Sequence, residues 1–96
     1  MLIKAGVDIS RLNPEIRRSL NKVGAIHYKY GEEMVITSTY EGNHSDGTLH
    51  YANDAYDIRL PKTHRAEIQQ EIDRDLGKRF YVKLEANHIH IGYDPK

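Results

Sequence analysis

Ala55-Tyr56-Asp57-Ile58-Arg59-Leu60 is the stretch on which the fold turns. Tyr56, Ile58 and Leu60 alternate with Asp57 and Arg59, and Pro61 stops the run, which predicts a strand with an apolar face toward a core and a polar face away from it. The C-terminal run His88-Ile89-His90-Ile91-Gly92-Tyr93 has the same alternation. There Ile89 and Ile91 face the core, so His88 and His90 face the other way. Asp57, His88 and His90 are thereby expected on one side of a sheet.

Working outward, Phe80 to Glu85 forms a further strand, joined tightly to the last one around Ala86-Asn87. Asn13-Pro14 starts a helix, since Asn can cap free backbone donors and Pro fits the first helical position. Ile16, Leu20, Val23 and Ile26 or His27 then recur at helical spacing, giving a helix over about residues 14 to 30, ended by Gly31. Glu33 to Ser38 suits a pleated strand and is expected to be central in the sheet. Thr63 caps a second helix carrying Ile68, Ile72 and Leu76, with Gly77 as terminator. Two amphipathic helices need a sheet face to cover. The expected architecture is therefore an α+β fold, an antiparallel sheet with two helices packed on one face and a metal site on the other.

The 96 residues make one domain, and without cysteine neither disulfides nor thiolate zinc sites are open to it. Lysine plus arginine and aspartate plus glutamate balance at 14 each, which argues against nucleic acid or an anionic membrane as partner. The N-terminal residues Met1 to Gly6 lack the apolar run of a secretory signal, and no apolar stretch approaches membrane-spanning length, so synthesis in the cytoplasm is expected.

Metal chemistry is suggested by residue type and spacing. His50 precedes Asp57 by seven residues, and in a strand the His88-Ile89-His90 pair puts both rings on one face. Imidazole and carboxylate are the ligands of catalytic zinc, which activates water at neutral pH. Between the Glu33 to Ser38 strand and His50 lies Thr39 to Gly47, rich in turn formers and long enough for a functional loop.

At these residues the chain resembles the zinc peptidases of the lysostaphin, D-Ala-D-Ala metallopeptidase and hedgehog fold group, especially the small D-Ala-D-Ala carboxypeptidase-like proteins of tailed phages. That family's first motif, S-x-H-x-x-G-x-A-x-D, is matched by Thr48 to Asp57 at His50, Ala55 and Asp57; Thr48 stands for its Ser and Asn53 for its Gly, a residue that also enters left-handed backbone. Its second motif, an acidic residue followed closely by H-x-H, is matched by Glu85 and His88-Ile89-His90. The resemblance runs from about Met34 to Asp94.

The resemblance implies Zn2+ as cofactor, with His50, Asp57 and His90 as ligands. It gives His88 a role in stabilising the oxyanion or binding substrate, and makes Glu85 the general base and acid. Counted from His88, however, Glu85 sits three residues back, and a second registration makes His88 the ligand and His90 the helper. Many relatives carry an arginine in the loop before the first ligand. Here Tyr40 to Gly47 has none, and His44 or Arg59 is the candidate substitute, with Tyr51 beside His50 as a further substrate-binding residue.

The implied function is hydrolysis of a small peptide or amide bond in peptidoglycan stem peptides, by a phage-encoded enzyme acting on the host wall. The alternative is a non-catalytic metal-binding structural or interaction module of a phage with the same fold. His27 and His64 are expected to be solvated helix positions.

Overall fold

The computed structural model describes residues 1–39 and 53–94. Along the chain run β1 (Leu2–Ile3), α1 (Pro14–Lys29), β2 (Val35–Ser38), β3 (Ala55–Arg59), α2 (Arg65–Leu76), β4 (Phe80–Leu84) and β5 (His88–Tyr93). The strands form one sheet in the order β1-β2-β3-β5-β4. Pairing is antiparallel from β2 through β4, but β1 runs parallel to β2, with Leu2 beside Val35 and Ile3 beside Ile36. The sheet is thus mixed, which corrects the all-antiparallel expectation. A two-residue strand carries no readable alternation, and both of its side chains are exposed. What holds it is main-chain hydrogen bonding, from the Leu2 N–H to the Met34 carbonyl (2.8 Å) and from the Lys4 N–H to the Ile36 carbonyl (2.9 Å).

The apolar periodicity resolves into one core. Ile16, Leu20, Val23 and Ile26 from α1 and Ile68 and Ile72 from α2 cluster with Tyr56, Ile58, Ile89 and Ile91, so both helices cover the same sheet face. Tyr56, wholly buried, places its hydroxyl 2.7 Å from Ser19 Oγ, which itself donates to the Ile16 carbonyl at 2.6 Å. Burial pushes the Tyr56 phenol well above its ordinary range, keeping it a neutral donor.

Helix boundaries follow their capping residues, with two departures. Asn13 stands at the N-cap of α1, yet its side chain makes no cap bond. Its amide donates instead to Asp54 Oδ1 at 2.7 Å, while its own N–H donates to the Asn53 carbonyl at 3.0 Å. Asn53 sits at φ 61, the left-handed region that asparagine tolerates. The start of α1 is thereby tied to the residues that lead into β3.

At α2 the N-cap is His64 rather than Thr63. The Thr63 hydroxyl donates to Glu32 Oε2 at 2.6 Å and the Lys62 N–H to Oε1 at 2.8 Å. A carboxylate accepts more strongly than a helix end needs a neutral cap, and those same hydrogen bonds, the Thr63 hydroxyl foremost, hold the Glu32 carboxyl below its usual range. His64 is exposed, as expected, but lies at the cap in left-handed backbone and not within the helix.

His27 overturns the expectation of a solvated ring. It is fully buried on α1, with Nδ1 2.8 Å from the Val23 carbonyl, and Nε2 has no hydrogen-bond partner. The carbonyl can only accept, so Nδ1 carries the proton and the ring is neutral. At a position where the helical spacing leaves Ile26 and His27 both near the core face, the fold buries both.

Burial lowers the His27 pKa below 6.5, more than the Val23 hydrogen bond raises it. On acidification the unfolded chain therefore takes up a proton near 6.5 that the folded chain resists, and stability is lost as pH falls below that value. The stability of the protein should fall between about pH 7 and 5 more steeply than that of His27→Leu, by up to about 1.4 kcal/mol per pH unit. Denaturant melts at several pH values check this, and parallel curves for the two proteins would contradict it.

Candidate functional site

The register of β3 against β5 decides which side chains meet on the open face of the sheet. Ile58 pairs with Ile89 and Tyr56 with Ile91 on the core side, which sets Asp57 opposite His90 and Arg59 opposite His88 on the other. On the far side of β5, Lys83 lies opposite His90 and Tyr81 opposite Gly92. Between Ile36 and Ser38 the ladder to β3 shifts register, a bulge of the kind that re-aims side chains beside functional sites.

Asp57 is the hub of this face. Its Oδ1 is 2.9 Å from His90 Nδ1 and 3.7 Å from His88 Nε2, and its side chain is 14% exposed. His90 is engaged through both nitrogens. Nδ1 donates to the carboxylate, and Nε2 accepts from the Tyr81 hydroxyl at 3.2 Å, with the two rings stacked at 5.3 Å. Burial foremost, and then the negative charges of Asp94 and Asp57, raise the Tyr81 phenol above its ordinary pKa, so it remains a donor.

His88 has a different hydrogen-bonding pattern. Its Nδ1 lies 2.6 Å from Asn87 Oδ1, an acceptor, so Nδ1 carries a proton, and in the neutral tautomer the lone pair is on Nε2. That lone pair is on the nitrogen 3.7 Å from Asp57 Oδ1, too far for a hydrogen bond. Two acceptors so placed repel unless a proton or a cation lies between them. A histidine whose other nitrogen donates to a carbonyl oxygen is the usual form of a metal ligand.

Around Asp57 and His88 the surface opens into a depression of about 400 Å³, whose rim includes Lys4, Thr37, Arg59 and Asn87. Arg59 is exposed and on the same strand face as Asp57. Glu85 follows β4 directly and leads into the tight turn around Ala86-Asn87, its N–H donating to the His88 carbonyl at 2.9 Å. Its carboxylate is 3.6 Å from Lys83 Nζ.

The structure thus brings Asp57, His88 and His90 together, with Arg59 and Glu85 on or beside the same face. His44, His50 and Tyr51 lie outside the described residues. Among the described residues no group of three or more His, Cys, Asp and Glu side chains is arranged to hold a metal ion. No described helix is long and apolar enough to cross a membrane.

Lys83, Tyr81, Gly92, Lys4 and Thr37 are residues of this face that escaped the sequence reading. Tyr81 shares its strand parity with Lys83 and Glu85, and Gly92 within a strand marks a close approach, so both were readable in principle. Lys4 and Thr37 depend on the parallel pairing of β1 and on the bulge, which no local pattern discloses. No protein-family model and no curated protein matches this chain.

The Tyr81 ring lies where a Cβ on Gly92 would be, which makes that glycine the seat of the aromatic cover over His90. Gly92→Ala should displace the ring, a flexible and partly exposed side chain, and leave the sheet folded. In NMR spectra the His90 ring resonances should lose the upfield shift caused by stacking, while the Ile58 and Ile89 amides keep theirs. Unchanged His90 resonances would contradict the placement of Tyr81.

Proposed function

We propose that this chain is a zinc-dependent peptidase that hydrolyses a small peptide or amide bond in peptidoglycan stem peptides, as a phage-encoded enzyme acting on the host wall. The observation that carries the reading is the unequal use of the two histidines facing Asp57. His90 is committed on both nitrogens, whereas His88, whose Nδ1 is engaged by Asn87 Oδ1, directs Nε2 toward the carboxylate at 3.7 Å, beyond hydrogen-bond distance. That pattern supports the registration in which Asp57 and His88 are ligands, with His50 the third from the preceding segment, and His90 holds Asp57 in position.

The donor set is imidazole nitrogen and carboxylate oxygen, which fits zinc or a similar borderline divalent ion. When bound, such a metal supplies the Lewis acidity that activates water at neutral pH. The remaining roles fall to the chain. In the same registration Glu85, three residues before His88, accepts a proton from the attacking water and returns it to the leaving nitrogen. Its contact with Lys83 is an exposed ion pair, worth only about 0–1 kcal/mol, so freeing the carboxylate costs little. Lys4 and Arg59, on the rim of the depression, provide the positive charge that would hold a substrate carboxylate, the task given to a loop arginine in the proteins this chain resembles.

The second reading, a metal-binding module without catalysis, is favoured by that same pairing of Glu85 with Lys83, which offsets the charge of the base. Activity separates the two. Glu85→Gln should keep its zinc and lose about 10²–10⁴ in rate on small D-amino-acid peptides or peptidoglycan fragments. A zinc-loaded wild type that releases no new amine from any such substrate would leave the module as the better account.

Metal content tests the registration. His88→Ala should fail to retain stoichiometric zinc after gel filtration, whereas His90→Ala should retain it with affinity weakened about 10–100-fold. The reverse pattern would make His90 the ligand, and a wild type without stoichiometric zinc would overturn the site altogether.

A further inference from the structure

On the helix-covered side of the sheet, away from Asp57, a second depression of about 250 Å³ lies where α1 passes the end of α2 and the start of β4. Its α1 wall carries Arg18 and Lys22, one turn apart, and its far wall carries Arg79. Phe80 and Tyr93, cross-strand partners with ring centres 5.0 Å apart, line it together with Leu76. At the base is Ser19, whose hydroxyl is already engaged with Tyr56 and the Ile16 carbonyl.

The chain as a whole has no net charge, and some of its cations sit beside carboxylates, as in Lys29 with Glu71, Arg74 with Asp75 and Lys83 with Glu85, but the three that line this depression do not. Among the described residues Arg18, Lys22 and Arg79 have no carboxylate partner, and Glu15 is the one acidic residue that lines the depression with them. Three cations gathered with one carboxylate on a concave surface raise the local concentration of anions, and two guanidinium groups offer the planar forks that suit phosphate or carboxylate oxygens. The rings and Leu76 add an apolar wall on which a flat carbon body can rest.

We infer that this depression binds a small organic dianion, a phosphate monoester on a planar or apolar body, held by Arg18, Lys22 and Arg79 against Phe80 and Tyr93. The space is large enough for a single ring with its phosphate. The site is independent of the Asp57 face and of any metal there.

Phenyl phosphate is the probe. Titrated into the full chain at low ionic strength and followed by NMR, it should give saturable shifts at the amides of Arg18, Lys22, Arg79 and Phe80. Asp57 and His88 should not move. Arg18→Gln and Arg79→Gln, both exposed positions that the fold should tolerate, should each weaken binding at least about fivefold, and raising the salt should weaken it in the wild type. Lys62→Gln, far from the depression and exposed, serves as the control and should leave binding unchanged. Absence of saturation, equal binding by Arg18→Gln, Arg79→Gln and wild type, or shifts spread over all surface lysines would overturn the proposal.

Discussion

Everything on the polar face depends on the register of β3 against β5. Because successive side chains in a strand point to opposite faces, burying Ile58 against Ile89 and Tyr56 against Ile91 leaves Asp57 and His90 no choice but to meet on the other side. A slip of β3 by one residue would turn Asp57 and Arg59 into the core and Tyr56 and Ile58 into water, and a slip of β5 would do the same with His88 and His90 against Ile89 and Ile91. Fully burying one such apolar side chain is worth about 1.5–3 kcal/mol, so the core fixes the register far more firmly than the polar contacts could. The site is held in place by residues that take no part in it.

The polar side of that constraint is a chain of hydrogen bonds, from the Tyr81 hydroxyl to His90 and from His90 to Asp57. A carboxylate with most of its surface covered needs such a donor, because desolvation without a partner is costly. Tyr81 can lie over His90 only because Gly92 has no side chain. His88, its Nδ1 engaged by Asn87, lines the depression that Lys4 and Arg59 border. Both histidines thus meet the same carboxylate oxygen, His90 within hydrogen-bond distance and His88 beyond it.

Much of this was legible in the sequence. Alternation in Ala55 to Leu60 and in His88 to Tyr93 gave the faces correctly, and four-residue spacing placed Ile68 and Ile72 in the core. Asn53 does adopt the left-handed backbone that its place in the motif suggested. What was not legible depends on competition between distant groups. Thr63 has the chemistry of a cap, but Glu32, adjacent only after folding, takes its hydroxyl. His27 has a polar ring on a helix, and only the packing of α1 shows that it is buried with one nitrogen unpartnered. The parallel strand β1 is too short for any periodicity to show. The different hydrogen bonds of His88 and His90 depend on the side chains of Asn87 and Tyr81, which spacing does not encode.

The central claim is that Asp57 and His88 face a metal. Zinc absorption spectroscopy on the stoichiometrically loaded full-length chain tests it most directly, with the His88→Ala and His90→Ala proteins as comparisons. The account predicts a four-coordinate first shell of nitrogen and oxygen at about 2.0–2.2 Å, with imidazole scattering that is reduced in His88→Ala and unchanged in His90→Ala. A first shell without imidazole, or one altered by removing His90 and indifferent to His88, would contradict it.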